Sequence, residues 1–149
     1  MATIRGGEKL DAALREMASK VANPATLRVG FLSSARYPSG EYVAMIAAIQ
    51  EYGAPSRGIP PRPFFRNAIA RYSPEWPKAI ADLLKANDLD AKKTLDQTGA
   101  AIAGQLRQSV IDTNEPPNAP STIRRKKSAK PLVDTGHLLA SIDHEVKTS

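Results

Sequence analysis

From Glu8 to Val21 the apolar residues Leu10, Ala13, Leu14, Met17 and Val21 recur at steps of 3, 1, 3 and 4, with Lys9, Arg15, Glu16 and Lys20 between them. That is the period of an amphipathic helix with one face turned inward, and Asn23-Pro24 ends it. The next stretch, Thr26 to Leu32, alternates Leu27, Val29 and Phe31 with other residues and predicts a short strand closed by Ser33-Ser34. Tyr37-Pro38-Ser39-Gly40 reads as a turn. Glu41 to Tyr52 is almost continuously apolar between Val43 and Ile49, which predicts a helix buried on more than one side and stopped by Gly53.

Seven of the twelve prolines lie between Tyr37 and Pro77. The stretch Ala54 to Pro63 (APSRGIPPRP) holds too many of them for a helix or a central strand, so a stiff extended loop is expected there. Pro63 to Arg71 predicts a short helix with proline first, sending Phe64, Phe65 and Ile69 into the core. Ser73-Pro74-Glu75 has the order of a helix start, a hydroxyl cap followed by proline and an acid, with Trp76, Ile80, Leu83 and Leu84 as its apolar stripe. Asp88 is placed to cap a long helix reaching about Asp112, on which Leu95, Gly99, Ile102, Leu106 and Val110 step by 4, 3, 4 and 4. Gly99 and Gly104 each cost such a helix roughly 1 kcal/mol relative to alanine, which implies close packing against the backbone, either within the chain or from a neighbouring subunit.

Thr113 to Pro131 (TNEPPNAPSTIRRKKSAKP) has four prolines and few large apolar side chains, so it reads as an exposed arm or long loop, with one helical turn possible at Ser121-Thr122-Ile123. Asp134 is placed to cap a short helix through Leu138 and Leu139, and Ile142 to Val146 alternates as a final strand does. Together these elements predict a single α+β domain over residues 1–149. In it a small antiparallel sheet from the N- and C-terminal strands packs against several helices, one of them long, and the proline-rich basic segment 113–131 extends as an arm.

At 149 residues the chain is long enough to bury about 70% of its extended surface in one core, and 42% apolar with 24% charged residues is ordinary for a globular domain. Cysteine is absent, which removes disulfides, thiolate nucleophiles and cysteine-ligated metals. No apolar run approaches the roughly 20 residues of a bilayer span, and the first residues break into charge before a signal-peptide core forms, so a soluble protein is expected. The net charge of +6 is spread evenly: residues 1–60, 61–112 and 113–149 carry 7 basic against 5 acidic, 8 against 6 and 6 against 4. Within the last third, though, Arg124, Arg125, Lys126, Lys127 and Lys130 cluster with no acid between residues 120 and 131. Such a cluster is suited to phosphates or to an acidic protein surface, and no aromatics are interleaved with it to form a stacking platform for single strands.

Catalytic constellations are not supported. The two imidazoles, His137 and His144, lie near Asp134 and Asp143, but their spacing matches no zinc pattern. No serine sits in a G-x-S-x-G elbow, and neither a Walker A loop nor G-x-G-x-x-G occurs. Asp88 and Asp90 fall at a helix start, where the dipole accounts for them. The sequence therefore predicts no enzyme, no cofactor and no metal.

Two stretches carry a resemblance. The first is Glu51-Tyr52-Gly53-Ala54 followed by Ile59-Pro60-Pro61-Arg62-Pro63-Phe64-Phe65-Arg66, with Val29-Gly30-Phe31-Leu32 before it. The second is Pro116-Pro117-Asn118-Ala119-Pro120-Ser121-Thr122-Ile123, leading through Lys126-Lys127 to Lys130-Pro131-Leu132-Val133-Asp134-Thr135-Gly136-His137-Leu138 and Ser141-Ile142. In this order they resemble the neck or tail-completion proteins of long-tailed bacteriophages, the group that contains the minor tail protein Z of lambda-like phages and the virion morphogenesis protein of Mu-like phages. The resemblance covers about residues 26–147.

It implies a non-catalytic structural virion protein, made in the host cytoplasm and resident at the neck, where it joins the DNA-filled head to a separately built tail. By analogy it forms a ring of its own copies, sixfold, between a head-closure or connector protein and a tail terminator or tail tube protein. Non-specific contact with genomic DNA in the channel goes with that position; a membrane partner does not. A tail terminator or another minor tail protein is the alternative within the same class, and a small basic nucleic-acid-binding module acting through residues 124–130 is the alternative from another. Ile59, Pro60, Pro61, Arg62, Pro63, Phe64 and Arg66 are the candidate subunit or partner interface, because a proline-stiffened segment loses little entropy on docking. A rigid loop serving only its own chain explains them equally well. Arg124, Arg125, Lys126, Lys127 and Lys130 are the candidate contacts to a neighbouring ring or to DNA.

Overall fold

The computed structural model describes residues 6–126 and 136–148. The elements run α1 (Gly7–Val21), β1 (Ala25–Phe31), α2 (Val43–Tyr52), α3 (Phe64–Tyr72), α4 (Trp76–Ala86), α5 (Ala91–Asp112), α6 (Pro120–Lys126), α7 (His137–Ala140) and β2 (Ile142–Thr148), with 3-10 turns at Pro55–Arg57 and Ser73–Glu75. The fold is α+β. β1 and β2 pair antiparallel from Ala25 opposite Thr148 to Phe31 opposite Ile142, so strands from the two ends of the chain make one two-stranded sheet. On one face Arg28 stands across from Glu145, with 3.5 Å between Nη1 and Oε1; on the other, Leu27, Val29 and Phe31 turn toward the helices.

α5 is the spine: both strands, α3 and α4 pack against it. The core gathers Val43 and Ala47 of α2, Phe64 and Ala68 of α3, Ala103, Leu106 and Val110 of α5, Leu138 of α7 and Ile142 of β2. Phe31 meets Phe64 edge-on at 6.2 Å. The close approach anticipated at Gly99 is here, since a Cβ at that position would lie 2.5 Å from His144 Cδ2 and 2.7 Å from Leu27 Cδ1. The sheet thus lies directly on the α5 backbone. Gly104 has nothing within 4 Å of such a Cβ and carries no packing reason. Among the described residues no helix is long and apolar enough to cross a membrane.

Several expectations are corrected. α1 forms, but its apolar face is not inward: the helix buries no residue, and Leu10, Leu14, Met17 and Val21 are 62%, 55%, 51% and 48% exposed. Periodicity marks a face as apolar without saying which surface covers it. Ile69 is 42% exposed, while Phe64 is buried and Phe65 half-buried, because α3 turns only its Phe64–Ala68 edge to the core. Asp88 does not cap α5. It sits in a turn with φ 52°, beside Leu89 at φ 63°, and the cap lies two residues later, where Asp90 Oδ1 accepts the Lys93 N–H at 2.9 Å. Ser73 caps nothing; it opens a 3-10 turn, and α4 begins at Trp76 with Pro77 in its first turn. The Asp134 cap lies outside the described residues.

Candidate functional site

Glu51, in the last turn of α2, is 4% exposed, and its carboxylate accepts the backbone N–H of Phe65 (2.8 Å) and of Arg66 (3.2 Å). These are orphan donors of the first turn of α3, so α2 caps α3 from outside the local sequence. Arg66 completes the clasp: its Nε donates to Glu51 Oε1 at 2.8 Å, and its guanidinium stands 5.1 Å from the Tyr52 ring. Gly53 then turns with φ 76°, and a Cβ there would meet Ile59 O and Pro61 N, each at 2.8 Å. Glycine is required because the proline loop folds back to touch the helix end, held by the Ala54–Ile59 bridge. Inside the expected extended loop is a compact doubled-back segment with a 3-10 turn at Pro55–Arg57.

Arg62 is 5% exposed and ties the loop to a segment more than fifty residues away. Its Nη1 donates to Gln50 Oε1 (3.0 Å), its Nε to Pro116 O (2.9 Å) and its Nη2 to Pro117 O (3.3 Å). Its own N–H donates to Gln50 O at 2.7 Å. The cation is met by oxygens of neutral groups, and burial pushes the guanidinium below its ordinary value. Ser109 Oγ of α5 donates to Phe64 O at 2.6 Å, fixing the start of α3 from the other side. The head of the predicted arm is therefore moored to the body, and α6 is longer than the single turn anticipated at Ser121–Ile123.

This mooring leaves an open groove of about 850 Å³ between the proline loop and α6, whose lining includes Tyr37, Glu41, Gln50, Ile59, Pro60, Arg62, Thr122 and Arg125. Ile59 and Pro60 present their sides to it, and Pro61 is exposed on the same loop. Arg62 and Phe64 lie inside the fold and Arg66 is in the Glu51 clasp, so three of the seven candidate interface residues serve the chain's own packing. Pro63 is half-buried and precedes α3. Of the five candidate cations, Arg124 and Arg125 are exposed on α6 and Arg125 borders the groove. Lys126 closes that helix, and Lys127 and Lys130 lie outside the described residues.

The histidines stand apart. His137 Nε2 is 2.7 Å from Arg36 O with its ring against Tyr37, while His144 Nε2 is 3.1 Å from Asp96 Oδ1. Asp143 Oδ1 is 3.6 Å from His144 Nδ1 on the other side of the ring, and among the described residues no three histidine or carboxylate side chains are placed to hold a metal ion together. Sequence reasoning missed Glu51 as a cap and Gln50 and Tyr37 as groove walls. The signal for Glu51 was present as an acid two residues before a glycine, upstream of a proline-led helix lacking a capping side chain of its own. Comparison with protein-family models, with curated proteins and with solved structures finds no match to this chain.

Proposed function

We propose that this chain is a structural, non-catalytic virion protein of a long-tailed bacteriophage, assembling as a ring at the neck and joining the DNA-filled head to the tail. One observation carries the reading beyond the resemblance itself. The two stretches on which that resemblance rests are distant in sequence, yet Arg62 of the first bonds the Pro116 and Pro117 carbonyls of the second. The E-Y-G and I-P-P-R-P-F residues then act as one unit: Glu51 caps the helix that Phe64 begins, Gly53 admits the loop, and Arg62 clamps the downstream segment. Such a unit holds a rigid edge, Ile59 to Pro61, beside α6 and presents both along one groove. Rigid surfaces repeated around a ring sum many modest contacts into stable assembly.

The test is electron microscopy of particles from a phage lacking this chain. DNA-filled heads accumulating beside free tails are expected; normal virions would remove the joining role. The basic-module alternative keeps one supporting observation, the exposure of Arg124 and Arg125 on α6.

A further inference from the structure

We infer that the groove between the proline loop and α6 is a binding site for a carboxylate, offered on an extended segment of a partner protein. This deepens the neck reading proposed above and rests on it only for which protein brings the segment. Arg62, which borders the groove, carries the argument. It is buried, and among the described residues every oxygen its guanidinium meets is neutral. Buried guanidinium groups are ordinarily met by a carboxylate, because taking an uncompensated charge out of water is costly. Among the described residues Glu51 is the one buried acid, and it is spent on Arg66 and the start of α3. Burial alone acts on Arg62, with no neighbouring carboxylate to hold its pKa up. An anion lodged in the groove supplies the missing charge.

Donors for that anion are at hand. Three of the five guanidinium N–H groups of Arg62 are engaged, which leaves one on each Nη. Gln50 gives its Oε1 to Arg62, so its amide NH2 is unspent, and it borders the same groove. The α6 side adds the Thr122 hydroxyl and Arg125, an exposed guanidinium with no ion pair among the described residues. The bonds from Arg62 to Pro116 and Pro117 hold the two walls at a fixed spacing, so the donors are in place before a ligand arrives.

The rest of the lining selects a protein carboxylate over a nucleic-acid phosphate. At about 850 Å³ the groove has room for a stretch of chain and not only for an ion. Ile59, Pro60 and Leu138 give it apolar walls, which suit side chains flanking an acid and offer little to a sugar-phosphate chain. Glu41 stands in the same lining, with the Ser39 hydroxyl donating to its carboxylate at 3.1 Å. A polyanion brings a row of phosphates past that acid and is repelled, whereas a peptide brings one carboxylate and can turn an N–H toward Glu41. The net charge of +6 favours an acidic partner over a second copy of this chain.

The test is selection of a random heptapeptide library on the full chain, with each enriched peptide then made as a pair, acid and amide. Enrichment of peptides with a single Asp or Glu beside apolar residues is expected, and changing that acid to its amide should weaken binding about tenfold. Arg125→Gln keeps the other four cations of the cluster. It should weaken the acid peptide by about as much, leave the amide peptide unchanged, and keep the wild-type melting temperature, since Arg125 is exposed. Oligothymidylate should not displace the acid peptide. Enriched peptides without an acid, no enrichment, equal binding of the acid and amide forms, or displacement by oligothymidylate would overturn the inference. An acid peptide that breaks up the chain's own oligomers would overturn it in favour of a second copy as the occupant. A chain that binds the acid peptide but whose loss leaves virions normal keeps the groove and removes the neck reading. A chain needed for head-tail joining that enriches no acidic peptide does the reverse.

Discussion

Arg62 shows what a single side chain does that its charge alone does not. Three of its nitrogens point at three separate oxygens, on Gln50, Pro116 and Pro117, and the fork geometry of guanidinium reaches all of them at once. A lysine ammonium is a point charge and reaches fewer, and at 5% exposure the oxygens it drops have little water to replace it. Arg62→Lys is therefore expected to destabilise the fold by about 2 kcal/mol, read as a lower urea midpoint at unchanged slope. Its distinctive signature is local. Segment 113–119 should become cleavable by a protease before the remainder of the chain opens, since its mooring is lost first. A cleavage pattern identical to wild type would show that the Pro116 and Pro117 bonds do not hold that segment.

At the scale of elements, the two glycines of α5 make opposite predictions from the same helix cost. At Gly104 an alanine meets open space, so Gly104→Ala should stabilise by about 1 kcal/mol. At Gly99 the added methyl meets the His144 ring and the end of Leu27, and overpacking outweighs the helix gain, so Gly99→Ala should destabilise by about 1–2 kcal/mol. Thermal melts of the two variants check the signs; equal shifts would mean that the sheet does not rest on Gly99. The same helix shows how far sequence carries. Its period was legible, and so were Gly99, Leu106 and Val110, but Thr94, Thr98, Ala103 and Ser109 complete the buried face. Small and hydroxylated residues bury where a neighbour comes close and supplies a partner, as Phe64 O does for Ser109, and that neighbour is fixed only by tertiary structure. Both strands were legible from alternation and their antiparallel meeting from their places at the two ends of an α+β chain, whereas the α1 stripe was visible without any sign that the fold leaves it exposed. The loop 54–63 was legible as stiff, but its return onto Gly53 and the capping by Glu51 are long-range consequences that no local pattern states.

For the whole molecule, the useful separation is between what holds copies together and what the positive charge meets. The net +6 includes five cations at Arg124, Arg125, Lys126, Lys127 and Lys130, so replacing all five with glutamine leaves +1. If the proposed ring closes through surfaces other than this cluster, its self-association should change by no more than about twofold, and where it changes it should strengthen, because like-charge repulsion between copies falls. On the basic-module reading, binding to DNA would depend on those same cations through counterion release, so retention on a DNA column at low salt should be lost and the salt dependence of any residual binding should flatten. The two readouts then sort the readings. Retained assembly with lost DNA retention and defective joining places the cluster on the DNA side of a working ring. Retained assembly with normal joining makes the cluster dispensable to the neck role. Lost assembly would show that copies meet through the basic segment itself.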